Sequence, residues 1–219
     1  MADGFLIVWS DVQKSMETDY SHWLTREHAQ ERVSTPGFLA VRVFRTELKT
    51  TYRYLIVYDL ESPDVVSSPA YVAKLNSPSP WTQRVLPTLT NFMRGGGRVA
   101  HQSGIGAGST ATALTLPEQL PADSQALVKS LAACDRISAV RLYETDSQRT
   151  EVKTKEKEVR GGDDRSFAGM LLIEGLDGEA VTGALDRLKQ LCPDVERDSP
   201  VGSLTYSQLF ALEKRMLPA

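Results

Sequence analysis

The sequence predicts an α+β fold made of two copies of one β-α-β-β-α-β unit. Residues 40–47 (AVRVFRTE) match residues 139–146 (AVRLYETD), 99 positions later, with four of the eight residues identical. A second pair, residues 60–66 and 176–181, lies 116 positions apart, so the second copy carries 17 additional residues between these two landmarks. An internal repeat of this length is typical of two duplicated small domains rather than of a solenoid.

The first copy combines stretches rich in β-forming residues with two helical segments. Ser68 and Pro69 mark the start of the second helix, because serine caps a helix and proline suits its first turn. The predicted strands are residues 5–9, 38–45 and 52–60, with a fourth between positions 91 and 103. The predicted helices are residues 17–34 and 69–75, followed by one further turn at 81–86.

The second copy repeats this order. Its predicted strands are, in chain order, residues 110–116, residues 139–146, a strand between the inserted residues and residue 176, and residues 201–212. Its predicted helices run from Asp123 to about residue 134 and over residues 179–191. The order is the ferredoxin-like pattern. A four-stranded sheet with helices on one face leaves its other face bare, so we expect the repeats 1–108 and 109–219 to pack sheet to sheet as an intramolecular α+β barrel.

The additional residues fall in the hairpin between the second and third strands of the second copy, at about 148–165. This stretch is strongly charged and has a Gly-Gly-Asp-Asp tip at 161–164. Because it offers little apolar area to compensate for ordering, the sequence predicts a mobile projection whose removal leaves stability nearly unchanged. A run of three glycines at 95–97 and a glycine-rich segment at 104–108 are interpreted as turns and a connector, since no helix follows them.

Composition excludes several classes of function. The net charge is −3 and no basic cluster of the kind that binds nucleic acid is present. No apolar run approaches the ~20 residues of a membrane helix, and no signal peptide is recognised. Cys134 and Cys192 have no metal-binding spacing, so we expect two buried thiols in a cytoplasmic protein without a metal site.

One face of the predicted helix 17–34 carries the most informative pattern in the chain. Side chains at three- and four-residue steps share this face, namely Met16, Tyr20, Trp23, Leu24, Glu27 and His28. The face is apolar except for the last two of them. All three histidines and all three tryptophans lie in the first copy, so we expect one site, with the second copy as its structural partner.

The same helix supplies a family resemblance. Trp23, the pair Glu27-His28 and the Pro36-Gly37-Phe38 turn resemble the EthD-like branch of the dimeric α+β barrel superfamily, over roughly residues 4–94. Tyr71 and residues 91–94 fit its two-repeat members. The superfamily includes cofactor-free oxygenases, polyketide cyclases, isomerases, dehydratases, decarboxylases and haem-degrading enzymes, as well as proteins without demonstrated activity. The resemblance therefore implies the fold and leaves the function open.

The candidate catalytic residues are His28, Tyr54 and Tyr58. A buried neutral imidazole can move a proton near pH 7, and a tyrosine on the third strand can hold an enolate oxygen. The alternative for His28 is a core histidine bonded to the turn at 36–38. The candidate substrate-binding residues are Tyr20, Trp23, Glu27, Tyr71, Trp81 and Arg42. For the aromatic residues the alternative is plain core, and for Arg42 it is a structural ion pair.

The sequence thus favours a cofactor-free enzyme that acts on a small aromatic or polyketide-like molecule by proton transfer, as a lyase, isomerase or cyclase. Haem is disfavoured because haem enzymes of this superfamily draw a histidine from the second helix, and residues 68–76 contain none. The alternatives are a non-enzymatic small-molecule-binding or structural barrel and a cofactor-independent oxygenase. No nucleic-acid or membrane partner is expected, and the chain is expected to be a monomer or homodimer.

Overall fold

The computed structural model describes residues 2–116, 123–150, 152–161, 164–193 and 204–218. Its strands are β1 (Gly4–Gln13), β2 (Phe38–Glu47), β3 (Thr51–Leu60), β4 (Thr90–Gly104), β5 (Thr110–Leu116), β6 (Ile137–Thr145), β7 (Gly169–Gly175) and β8 (Thr205–Glu213). Its helices are α1 (Glu17–Trp23), α2 (Ala29–Ser34), α3 (Pro69–Leu75), α4 (Pro80–Val85), α5 (Ser124–Ala132), α6 (Ser147–Thr150), α7 (Lys155–Arg160) and α8 (Gly178–Leu191). A π-helical turn, Leu24–His28, joins α1 to α2. The chain is therefore mixed α/β.

Contacts divide the chain into two compact units that are discontinuous in sequence. The first unit comprises Met1–Gly97, Asp146–Ser166 and Leu209–Ala219. The second unit comprises Arg98–Thr145 and Phe167–Gln208.

In the first unit β3 lies between β1 and β2, and both pairings are antiparallel. Alternate residues of these strands bury Leu6, Val43, Tyr54, Ile56 and Tyr58 in one apolar core with the helices. Gly37, at φ +87°, makes the turn from α2 into β2. A side chain here would meet the Val65 side chain and would also be strained, so only glycine suits the position.

In the second unit β7 lies between β5 and β6, again antiparallel, and the start of β8 pairs with β5. The β6–β7 ladder has the same irregularity as the β2–β3 ladder. The register shifts between Phe38 and Ala40 in one and between Ile137 and Ala139 in the other. The repeated sequence thus forms the same local structure in each unit, with a β-bulge at the same place.

The predicted projection is wrong for the described residues of the hairpin insertion, which pack on other elements of the first unit. The insertion forms α6 and α7, and Thr154 caps α7 by accepting a hydrogen bond from the Lys157 backbone N–H. The backbone N–H of Arg94 donates to the Arg165 carbonyl oxygen at 2.9 Å, which ties the insertion to β4 within the first unit. The low apolar content misled the prediction because the insertion is held mainly by polar and charged contacts.

Smaller differences concern the ends of elements and burial. β1 extends beyond the predicted residues 5–9 to Gln13, and within this extension the Asp11 carboxylate pairs with the Arg53 guanidinium on β3. Cys134 and Cys192 are free thiols, as expected, but half-buried rather than buried. The part of the last predicted strand at 201–203 and the insertion tip at 162–163 lie outside the described residues. Of the helices that the structure describes, none combines the length and apolar character needed to cross a bilayer.

Candidate active site

A cavity opens in the first unit. It lies between the sheet, the insertion and the first helical segment, which runs from α1 through the π-helical turn to α2. Its free space is about 660 Å³, a figure that includes open solvent at the mouth. Its inner wall is mostly apolar and aromatic, and includes Leu6, Val8, Tyr20, Trp23, Ile56, Tyr58, Tyr71 and Leu86. Its ionisable lining residues are His28, Arg32, Arg94, Glu156, Lys157, Arg160 and Asp164.

The π-helical turn sets the position of His28. The Ala29 backbone N–H donates to the Leu24 carbonyl oxygen, five residues earlier, which widens the helix by one residue at this turn. The widened turn brings His28 onto Trp23, with ring centroids 4.2 Å apart and ring planes inclined by 34°. Stacking on a buried indole, rather than a hydrogen bond donated to a carboxylate, orients the imidazole.

His28 is a neutral imidazole at the wall of the cavity. Its Nδ1 atom is buried and has no hydrogen-bond partner among the described residues. Burial, and then the positive charge of Arg32, holds the pKa of His28 well below its ordinary value of 6.5. The core-histidine alternative required a hydrogen bond to the turn at 36–38, and no such bond is present in the described part of the chain.

Tyr58 supplies an unused hydroxyl to the same cavity. Its side chain is 1% exposed, and its hydroxyl lacks a hydrogen-bond partner within the described ranges. Burial raises the pKa of Tyr58 although the charge of Arg32 opposes this shift, so the phenol keeps its proton and can donate it in a hydrogen bond. Phe38 packs against its ring edge-to-face, with centroids 5.6 Å apart.

Arg32 brings a buried positive charge next to both groups. Its guanidinium pairs with Glu156 from the insertion and with Glu31, the second at 3.1 Å, and it lies over the ring of Tyr71 at 5.6 Å. Burial lowers its pKa, but Glu156 and its other neighbours outweigh burial and raise it above the ordinary value. The cavity therefore keeps a permanent cation close to a neutral base and a neutral phenol.

Five of the nine candidate residues from the sequence line this cavity. They are Tyr20, Trp23, His28, Tyr58 and Tyr71. Tyr20 also packs tightly on its neighbours, with ring centroids 4.6 Å from Tyr54 and 5.5 Å from Trp23. The structure thus shows both a cavity beside His28 and a compact aromatic cluster behind it.

The other four candidates have different partners. The Tyr54 hydroxyl donates to Glu17 Oε1 at 2.8 Å, and Trp81 Nε1 donates to Asp19 Oδ1 at 3.1 Å. Arg42 pairs with Asp59 across the β2–β3 ladder at 3.2 Å, as Arg141 pairs with Glu174 across β6–β7. That repeated geometry favours the ion-pair alternative for Arg42.

Glu27 joins the first helical segment to α4. Its Oε1 atom accepts hydrogen bonds from the hydroxyls of Ser79 at 2.5 Å and Thr82 at 3.3 Å. Thr82 in turn accepts from Trp23 Nε1 at 3.0 Å. Glu27 therefore fixes the indole on which His28 stacks, from outside the cavity lining.

Sequence reasoning missed the charged residues of the cavity. Arg32 continues the four-residue steps from Tyr20 through Leu24 and His28, so extending the stripe by one turn would have found it. No local signal predicts the residues from the insertion, because their place depends on where a distant hairpin packs. In the described ranges no group of three or more His, Cys, Asp or Glu side chains is arranged to hold a metal ion.

Comparisons with known proteins show similarity in fold and little in sequence. No protein-family model and no curated protein matches the sequence. A monooxygenase candidate from Fusobacterium nucleatum is similar in structure, with a TM-score of 0.54 and 14% identity over 97% of this chain and 95% of that one. An anthrone oxidase-like protein has a TM-score of 0.53 and 12% identity over 98% and 96%. A chlorite dismutase variant from Candidatus Nitrospira defluvii has a TM-score of 0.54 and 10% identity over 96% and 93%. These neighbours are 14% identical to this chain or less, so the similarity concerns the fold alone.

Proposed function

We propose that this chain is a cofactor-free enzyme that acts by proton transfer on a small aromatic or polyketide-like molecule. The observation that carries the proposal is that His28 Nδ1 and the Tyr58 hydroxyl both belong to the lining of one apolar cavity and both lack a hydrogen-bond partner among the described residues. Polar groups buried without partners are uncommon in proteins, and they are retained where a ligand completes their hydrogen bonds.

In the proposed reaction His28 takes a proton from an acidic C–H bond of the substrate and becomes an imidazolium. The electron pair of that bond moves into the neighbouring carbonyl, and the enolate oxygen accepts a hydrogen bond from the Tyr58 hydroxyl. The imidazolium then returns the proton to another carbon, which gives an isomerase, or to a departing hydroxyl group, which gives a dehydratase.

The electrostatics of the cavity define the class of substrate. A low pKa makes His28 a weak base, so it suits a C–H bond that flanking carbonyls or aromatic rings already acidify. Arg32 opposes the imidazolium but favours the enolate, because it lies near Tyr58 as well. Apolar walls exclude water, which strengthens both interactions.

We also propose a more specific assignment of the fold, its repeats and its superfamily branch. The shared β-bulge and matching ion pairs support two tandem ferredoxin-like repeats with a boundary near 108/109. The proposed site belongs to the first repeat, and the hairpin insertion of the second repeat adds charged residues to its lining. The signature around Trp23, His28 and Gly37 supports the EthD-like branch. A cytoplasmic location and a monomer or homodimer belong to the same proposal.

Two other functions have a specific observation in their favour. A cofactor-independent oxygenase, in which the enolate reacts directly with O₂, is favoured by the monooxygenase and anthrone oxidase-like neighbours. A binding or structural protein is favoured by the tight packing of Tyr20 against Tyr54 and Trp23.

Hydrogen–deuterium exchange into carbon acids tests the three functions. With anthrone or 2-tetralone in D₂O, we expect the protein to accelerate deuterium incorporation beside the carbonyl-activated carbon, and His28→Ala to abolish the acceleration. The variant should stay folded, since loss of one partly buried imidazole typically costs ~1–2 kcal/mol. Mass spectrometry measures the exchange, and an oxygen electrode measures any O₂ uptake.

His22→Ala is the matched control, because His22 belongs to α1 but lies outside the cavity lining. It should leave exchange unchanged. Oxygen uptake that depends on His28 would replace the isomerase or lyase with the oxygenase. Exchange at the uncatalysed rate with all probes, or full exchange in His28→Ala, would contradict the proposal.

A further inference from the structure

The cations around the cavity are not all neutralised. Arg32 pairs with Glu156, and Arg160 pairs with Asp164 at 2.5 Å. Arg94 and Lys157 also line the cavity, but neither is within ion-pair distance of a carboxylate in the described part of the chain. Among the described residues the wall therefore carries two cations without a carboxylate partner, in a chain whose net charge is −3.

The guanidinium of Arg94 is held in place by neutral acceptors. Its Nη1 donates to the Thr150 carbonyl oxygen at 3.1 Å, and its Nη2 donates to the Tyr71 hydroxyl at 3.4 Å. It also lies over the Tyr71 ring, 5.9 Å from the centroid. These contacts fix its direction and leave its charge available, and a half-buried guanidinium with free donors is a typical carboxylate-binding group.

Lys157 adds a second cation from α7, on the insertion. Its ammonium group has no bonded partner among the described residues, although Lys155 on the same helix pairs with Glu158 at 3.3 Å. The side chain of Lys157 is half-buried and lines the cavity, whereas Lys155 is exposed. The insertion thus places one of its lysines at the cavity and the other on the surface.

We infer that the cavity selects an organic anion, an aromatic molecule whose carboxylate is bound by Arg94 and Lys157 while its apolar body lies against the aromatic wall. The inference rests on the proposed function and names its substrate class. Arg42, a substrate-binding candidate from the sequence, is paired with Asp59. Arg94 and Lys157 have no carboxylate partner among the described residues and replace it as the anion-binding groups.

Ligand binding to matched pairs of probes tests the inference. Isothermal titration of the 219-residue chain with 1-naphthoate and with 1-naphthamide, which have the same shape and different charge, should show at least tenfold tighter binding of the acid. Arg94→Gln and Lys157→Gln should each reduce affinity for 1-naphthoate at least fivefold and leave affinity for 1-naphthamide unchanged. Lys155→Gln is the control on the same helix and should behave as the unmodified protein does.

The outcomes separate this inference from the proposed function. Equal affinity for acid and amide, or loss of both in Lys157→Gln, would overturn the anion site while deuterium exchange could still support the enzyme. Preference for the acid without any exchange into carbon acids would retain the anion site and reject the enzyme. If Arg94→Gln does not fold, the comparison of Lys157→Gln with Lys155→Gln decides the question alone.

Discussion

Glu156→Ala is expected to lower the free energy of unfolding by about 3 kcal/mol, because it leaves a buried guanidinium without its main counter-charge. The side chains of Arg32 and Glu156 are only 2% and 8% exposed. Glu31 still contacts Arg32 in the variant, which limits the loss. Urea denaturation followed by circular dichroism measures the change.

The controls for this prediction lie on the same helix and in the same pair. Glu158→Ala removes an exposed partner of Lys155 and should change stability by less than ~0.5 kcal/mol. The double variant Arg32→Leu/Glu156→Leu should recover most of the loss, since two buried charges are removed together. Equal losses of unfolding free energy in Glu156→Ala and Glu158→Ala would show that the insertion does not pack on the rest of the first unit in solution.

Acidification should destabilise the unmodified protein more than it destabilises a variant that lacks His28. The folded-state pKa of His28 is depressed below the unfolded value of about 6.5, so below that pH the unfolded chain binds a proton that the folded chain does not. Stability then falls with pH by up to about 1.4 kcal/mol per unit, from pH 6.5 down to the folded-state pKa. Acidification from pH 7.5 to pH 5 therefore lowers the contribution of this one residue to the free energy of unfolding.

Comparison with His28→Gln isolates that contribution, because the two proteins differ in this one titratable group. The two unfolding free energies should differ in their pH dependence between pH 7.5 and pH 5, with the unmodified protein losing more. His22→Gln, which removes an imidazole outside the cavity lining, should follow the unmodified protein. Parallel curves for the unmodified protein and His28→Gln would place the His28 imidazole in water rather than against Trp23.

The sequence was sufficient to predict elements whose causes are local. Ser68 and Pro69 begin α3 as expected, with the Ser68 side chain accepting from the Tyr71 backbone N–H. The first helical segment spans the predicted residues because Pro36 and Gly37 end it. The repeated AVR segment predicted two similar hairpins, because it carries the arginine that pairs across each ladder.

The sequence was insufficient wherever a contact joins distant positions through charge. The Arg32–Glu156 pair connects residues 124 positions apart, and no periodicity records such a partner. The insertion was misjudged for the same reason, since apolar content measures one kind of packing only. Tyr54 shares a strand face with Tyr58, but its hydroxyl donates a hydrogen bond to Glu17. The strand pattern is enough to predict which face carries Tyr54, and it does not predict that the hydroxyl already has a partner.

The π-helical turn has a consequence for how this site can be lost during evolution. Residues five apart on a regular α-helix point about 140° away from each other, so Trp23 and His28 stack only because the turn contains one residue more than an α-helix needs. Straightening this turn into a regular α-helix of the same length would turn the imidazole off the indole. A homologue could therefore keep every residue of this site and still lack the site, because its helix is regular between these two residues.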